Sequence, residues 1–154
     1  MLDRLARKLE SLLDASEQGD SAEDEEHAIR LAAAALLVEV ARADFDFDTE
    51  EALALEELLR REYELTEEEA AMLREEASER VEHSVSLFEF TRTLHDRLDE
   101  HRKSELMGRL WAVAFADGRL DKYEDAMVHK IGELLYVPRS EVMRRKLLAR
   151  PEDE

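Results

Sequence analysis

Residues 37–51, LVEVARADFDFDTEE, and residues 110–124, LWAVAFADGRLDKYE, are two versions of one stretch placed 73 positions apart. Leu37, Val40, Ala41, Ala43, Asp44, Asp48 and Glu51 align with the identical residue types Leu110, Val113, Ala114, Ala116, Asp117, Asp121 and Glu124. Phe47 over Leu120, Leu55 over Val128 and Leu58 over Ile131 keep the apolar positions apolar. Each copy reads A-x-A-D-x-x-(F/L)-D-x-x-E and lies between apolar residues at helical spacing. Each copy therefore specifies a helix, a short turn rich in carboxylates, and a second helix.

Outward from the repeat, the rest of the chain also carries helical signals. Ala, Leu, Glu and Arg dominate, and β-branched residues and Gly-containing hairpin turns are scarce, which predicts an all-α fold. Leu2, Leu5, Leu9 and Leu12 fall on one face of a first helix over 1–15, and residues 16–26 read as an acidic linker. A second helix over about 25–43 is expected to bury Ile29, Ala32, Ala33, Leu36, Leu37 and Val40. A third carries Leu55, Leu58 and Leu59, and a fourth opens at Thr66 with Glu69 in capping-box spacing. Ser86 and Glu89 repeat that signal ahead of a fifth helix with Leu87, Phe90, Leu94 and Leu98 near one face. A sixth covers about 103–116 and a seventh about 122–135, and Pro138 suits the first position of an eighth. Trp111 and the phenylalanines are expected in the core. The expectation is one compact domain over 1–154, with its core in about 25–150, built as a bundle of seven to eight helices.

Composition narrows the function. There is no Cys among the 154 residues, which removes disulfide frameworks, zinc ribbons and thiol nucleophiles and makes a reducing cytoplasm the expected location. The formal net charge of −18 disfavours nucleic acid and anionic membranes, which attract basic surfaces, and favours cations or basic proteins. The charge is lopsided: 25 acidic and 9 basic residues precede Val81, whereas 15 acidic and 13 basic residues follow Arg80. Arg139, Arg144, Arg145, Lys146 and Arg150 form a basic cluster, either a solvated helix face or an answer to the acidic half of this or another molecule. The charged N-terminus has no continuous apolar core of the kind a signal peptide needs, and the apolar run from Leu31 to Val38 is too short to span a bilayer, so a soluble protein is expected.

The acidic positions of the repeat admit two explanations. Asp48 and Asp121 suit helix N-caps, with Glu51 and Glu124 at the third helical position, facing the positive end of the helix dipole. Asp44 and Asp117 stand instead at a helix C-terminus, where a carboxylate is disfavoured by roughly 0.3–1 kcal/mol. An Asx-turn to the loop backbone explains them structurally. A divalent cation explains all six together, because Ca²⁺, Mg²⁺ and Mn²⁺ prefer oxygen ligands. Asp44, Asp46 and Asp48 also occupy the first, third and fifth places of an EF-hand-like loop, but Thr49 stands where that loop needs Gly and Leu55 where it needs Glu. An EF-hand is excluded.

The segments LLVEVARADFDFDTEEALALEELL and LWAVAFADGRLDKYEDAMVHKIGELLYVPRSEV, with SLFEFTRTLHDRL between them, resemble the tellurite-resistance protein TerB-like family over most of the chain after about Ile29. The resemblance implies a compact all-helical fold built on a duplicated unit, with its two acidic turns near one another. It further implies a divalent-metal site and an association with stress responses. Carried over by position, the site falls on Asp44, Asp48 and Glu51 and on Asp117, Asp121 and Glu124. The first unit departs from the pattern, with Phe45 where the second has Gly118, and only Gly reaches φ > 0 there without strain.

Other chemistry finds little support. His27, His83, His95, His101 and His129 form no zinc-binding pair, and His129, the one near an acidic unit, is expected at the surface or the edge of the core. No phosphate loop and no nucleophile elbow is present, and without a thiol or a cofactor motif the family name does not imply tellurite reduction. The expectation is a non-enzymatic module that binds a divalent cation through paired acidic turns and acts through a protein partner. The alternatives are a metal-free interaction module whose acidic half binds a basic partner and, last, a metal-dependent hydrolase.

Overall fold

The computed structural model describes residues 22–43, 47–84, 86–116 and 118–151. Seven helices and no strand occur among them: α1 (Ala22–Ala41), α2 (Thr49–Tyr63), α3 (Glu67–His83), α4 (Phe88–Arg97), α5 (Glu100–Ala114), α6 (Lys122–Leu134) and α7 (Arg139–Ala149). The all-α expectation is thus met, while the expected helix over 1–15 lies outside the described residues. Among the described residues no helix is long and apolar enough to cross a membrane.

α1 is the axis of the bundle. Every residue from Leu31 to Val38 is buried, as are Val40 and Ala41. A run of eight consecutive positions covers all sides of a helix, so α1 is enclosed by α3, α4, α5 and α6. Ala32, Ala33, Leu36, Leu37 and Val40 are buried as expected, Ala34, Ala35 and Val38 are buried as well, and Ile29 is only partly so. The four alanines at 32–35 keep the shaft thin, which lets neighbouring backbones approach. Each fully buried Leu here contributes roughly 1.5–3 kcal/mol.

α1 also begins earlier than expected. Glu23, Asp24 and Glu25, assigned above to the acidic linker, form its first turn, where carboxylates meet the positive helix end. At α3 the capping box is complete: Thr66 Oγ1 accepts the Glu69 N–H at 3.1 Å, and a Glu69 carboxylate oxygen accepts the Thr66 N–H at 2.9 Å. The box expected at Ser86 does not form. α4 starts at Phe88 with buried Leu87 in the cap position, and the Ser84 hydroxyl donates to the Ser86 carbonyl at 2.7 Å, a local turn that competes with the cap. Phe88, expected in the core, is 57% exposed, because Phe90 and Leu94 carry the buried stripe of α4. Pro138 sits one residue before its expected place, as the cap of α7 rather than its first residue.

α7 closes the bundle against α5 and α6. Trp111, fully buried, donates its indole N–H to the Val142 carbonyl at 3.0 Å. Arg144 grips Glu141 through two hydrogen bonds of 2.6 Å each. Those bonds first, and the Ser104 hydroxyl second, hold the Glu141 carboxyl down at about 2. Lys146 reaches Asp125 at 2.8 Å and lies 5.1 Å over the Trp111 ring. Arg144 and Lys146 therefore answer carboxylates of their own C-terminal half rather than of the acidic N-terminal half, one of the two readings of the cluster.

α6 approaches α7 closely at Gly132. A Cβ there would stand 2.8 Å from Val142 Cγ2 and 3.3 Å from Met107 Cε. Gly132→Ala is expected to lower stability by about 1–3 kcal/mol, because overpacking outweighs the propensity gained by replacing a helical Gly. Denaturant unfolding measures this, and an unchanged or raised midpoint would show that the two helices can separate without cost.

Candidate functional site

The site expected from the repeat is built on the α1–α2 and α5–α6 connections. Their backbones repeat as their sequences do. Arg42 N–H bonds to the Val38 carbonyl and Phe115 N–H to that of Trp111, each at 2.9 Å. Ala43 N–H bonds to Val40 and Ala116 N–H to Val113, each at 3.1 Å. Further on, Ala52 N–H bonds to Asp48 at 3.0 Å and Asp125 N–H to Asp121 at 2.9 Å. Every pair of donors and every pair of acceptors is separated by the same 73 positions.

Both caps form where expected. Asp48 Oδ1 accepts the Glu51 N–H at 2.9 Å, and Asp121 Oδ2 accepts the Tyr123 N–H at 2.8 Å. Each cap uses one oxygen of its carboxylate, so capping and ligation by the same Asp are compatible. The glutamates at the third helical position differ: Glu51 is partly exposed, whereas Glu124 is only 5% exposed. Asp44 and Asp117, together with Phe45 and Asp46, lie outside the described residues. Among the described residues, no three histidine or carboxylate side chains converge as a metal site.

The flanks of the turns show how the two units meet. Ala41, Glu51, Ala54 and Leu55 of the first unit line one small cleft of about 60 Å³ together with Ala112, Val113 and Ala116 of the second. On the other side, Glu39, Ala43 and Phe47 of the first unit share a larger cleft of about 740 Å³ with Met127 of the second. Ala54 and Met127 are repeat partners, as are Glu39 and Ala112, and Ala43 and Ala116. Residues of both units therefore line each of the two clefts. In particular Ala116, the residue before Asp117, lines the same cleft as Glu51. Residues that flank both acidic turns thus border one cleft.

Several neighbours of the site were not singled out from the sequence. Asp125, one residue after Glu124, is bound to Lys146, and His129 Nε2 lies 3.7 Å from it. His129 packs edge-on against Trp111 at 5.4 Å, the core-edge position expected for it. Glu39 is pushed above the usual carboxylate range by burial, and Arg42 opposes that shift. The i, i+4 spacing of Asp121, Asp125 and His129 could have signalled the second acidic layer; nothing local marks Lys146 as its partner.

These features define an all-helical protein with an internally duplicated unit and paired acidic turns. The family described as tellurite resistance protein TerB matches residues 30–147, more than half of the chain, and the chain belongs to that family. No curated protein and no solved structure matches it.

Gly118 sits at φ +83°, the left-handed region that the second turn was expected to need, and a Cβ there would meet nothing within 4 Å. Gly118→Ala should therefore cost about 1 kcal/mol through backbone strain alone, and Gly118→Asn less. Thermal melts compare the two, and an Ala variant as stable as the wild type would contradict this account of the turn.

Proposed function

We propose that this TerB-family chain is a non-enzymatic, cytoplasmic helical module whose paired acidic turns bind a divalent cation, and that the bound form sets the surface presented to a protein partner in a stress response. Asp44, Asp48 and Glu51 from one turn and Asp117, Asp121 and Glu124 from the other would hold the ion. The observation that supports this reading is that Glu51 of one unit and Ala116 of the other line the same cleft. Were the six carboxylates to gather there they would repel one another, and a hard cation such as Ca²⁺, Mg²⁺ or Mn²⁺ would offset that repulsion and join the two units. The positive ends of α2 and α6 provide part of the same compensation. The donor set fits such an ion, since it consists of oxygen alone. The chemistry supplied is charge neutralisation and crosslinking; no nucleophile or general acid motif supports a hydrolase.

The test is a thermal melt of the wild type and of Asp44→Asn/Asp117→Asn, with each divalent ion and with monovalent salt at matched ionic strength. Matching is necessary because a chain at −18 gains stability from screening alone. At an ion concentration about 100 times its Kd, the wild-type midpoint should rise by roughly 5–10 °C, and the double variant should lose that rise. Equal responses from both proteins would overturn the metal reading and leave the acidic surface itself as the binding feature.

A further inference from the structure

Tyr136 stands where its side chain is strained. It follows the last turn of α6 with φ +60°, in the left-handed region. Its N–H bonds to the Glu133 carbonyl at 3.1 Å and the Val137 N–H to that of Gly132 at 2.9 Å, the paired bonds of a helix end that normally closes on Gly. Burial does not offset the strain, because Tyr136 is 76% exposed. The ring meets the His95 imidazole at 4.8 Å between centroids, and the buried Lys103 holds that imidazole in turn, with Nζ 2.6 Å from His95 Nδ1. An aromatic ring is thus held rigidly in an exposed place, and a strained residue kept in a sound fold points to a use beyond stability.

His95 joins Tyr136 to a strip on α4. At 100° per residue, Phe88, Arg92 and His95 fall within about 60° of arc on that helix, and Glu89 and Asp96 fall outside it. All three residues of the strip are exposed, Phe88 at 57%. Three residues beyond Tyr136, Arg139 opens α7 and is exposed as well. Among the described residues neither Arg92 nor Arg139 has an ion pair, although the chain holds 40 acidic residues. Exposed aromatic rings beside arginines are the composition of binding hot spots.

We propose that Phe88, Arg92, His95, Tyr136 and Arg139 form a docking surface for a short acidic segment of a partner protein. An apolar side chain of that segment packs on the Tyr136 and Phe88 rings, and its carboxylates meet the two unpaired guanidinium groups, whose planar forks suit them. A long polyanion such as single-stranded nucleic acid also stacks on aromatic rings, but the net charge of −18 opposes its course beyond the strip. The surface lies at the opposite end of α6 from Asp121, so it is separate from the acidic turns and needs no metal.

The probe is a short synthetic peptide of Glu and Asp around a central Phe, blocked at both ends, titrated into wild type and Tyr136→Gly. Binding is followed by the His95 and backbone resonances, and both proteins are melted. Gly relieves the strain, so the variant should melt at or above the wild-type midpoint and yet bind the peptide roughly tenfold more weakly or worse. Wild-type binding should move the His95 and Val137 resonances and weaken as salt is raised. A variant that melts below wild type would show that the Tyr136 ring serves the fold, and would overturn the proposal. So would equal affinity in the two proteins, no binding to either, or tighter binding of an oligothymidine strand than of the peptide.

Discussion

The burial of α1 on every side is the constraint from which the rest of the architecture follows. A helix enclosed over Leu31–Val38 needs partners all round it, and the alanines at 32–35 set how near those partners come. α3, α4 and α5 occupy that shell, and α6 completes it. Because α1 is also the first helix of the repeat, the turn that follows it is carried on the most firmly held element of the molecule. The second unit gains comparable anchorage by another route, with Trp111 buried and hydrogen-bonded to α7 and with Asp125 tied to Lys146.

Duplication followed by reciprocal packing has an electrostatic consequence. Each unit carries a helix N-terminus capped by an aspartate at the matching position of the repeat, Asp48 in one and Asp121 in the other. Capping explains Asp48 and Asp121 in full as structural residues, yet it commits only one oxygen of each. Glu124 is nearly fully buried, and a carboxylate withdrawn from water is retained where its surroundings compensate its charge. The units are not equivalent, because Glu51 opens on a cleft and Gly118 has Phe45 as its counterpart, so the more enclosed carboxylate belongs to the second turn.

Much of this organisation was legible in the sequence because it rests on short-range chemistry. Helix types, the Thr66 capping box, both aspartate caps and the positive φ at Gly118 follow from residues within four positions of one another. The deviations occur where long-range packing decides. Six buried positions were expected for α1, and burial extends to Ala34, Ala35 and Val38 as well, because an unbroken apolar run marks enclosure rather than a stripe. Ser86 offered a capping box that the burial of Leu87 and a competing serine turn displaced. The pairing of Lys146 with Asp125 depends on how α7 lies across α6, which no local pattern encodes. For the site, the repeat singled out the six carboxylates, whereas the clefts that Ala54 shares with Ala112 and Met127 shares with Glu39 depend on how the two units pack, which no local pattern encodes.

The central claim is that one cation joins the two acidic turns. Anomalous diffraction from crystals grown with Mn²⁺ tests it most directly. The account predicts a single strong peak between the α1–α2 and α5–α6 turns, within coordination distance of carboxylates from both units. Peaks scattered over surface glutamates, or a peak held by one turn alone, would contradict it.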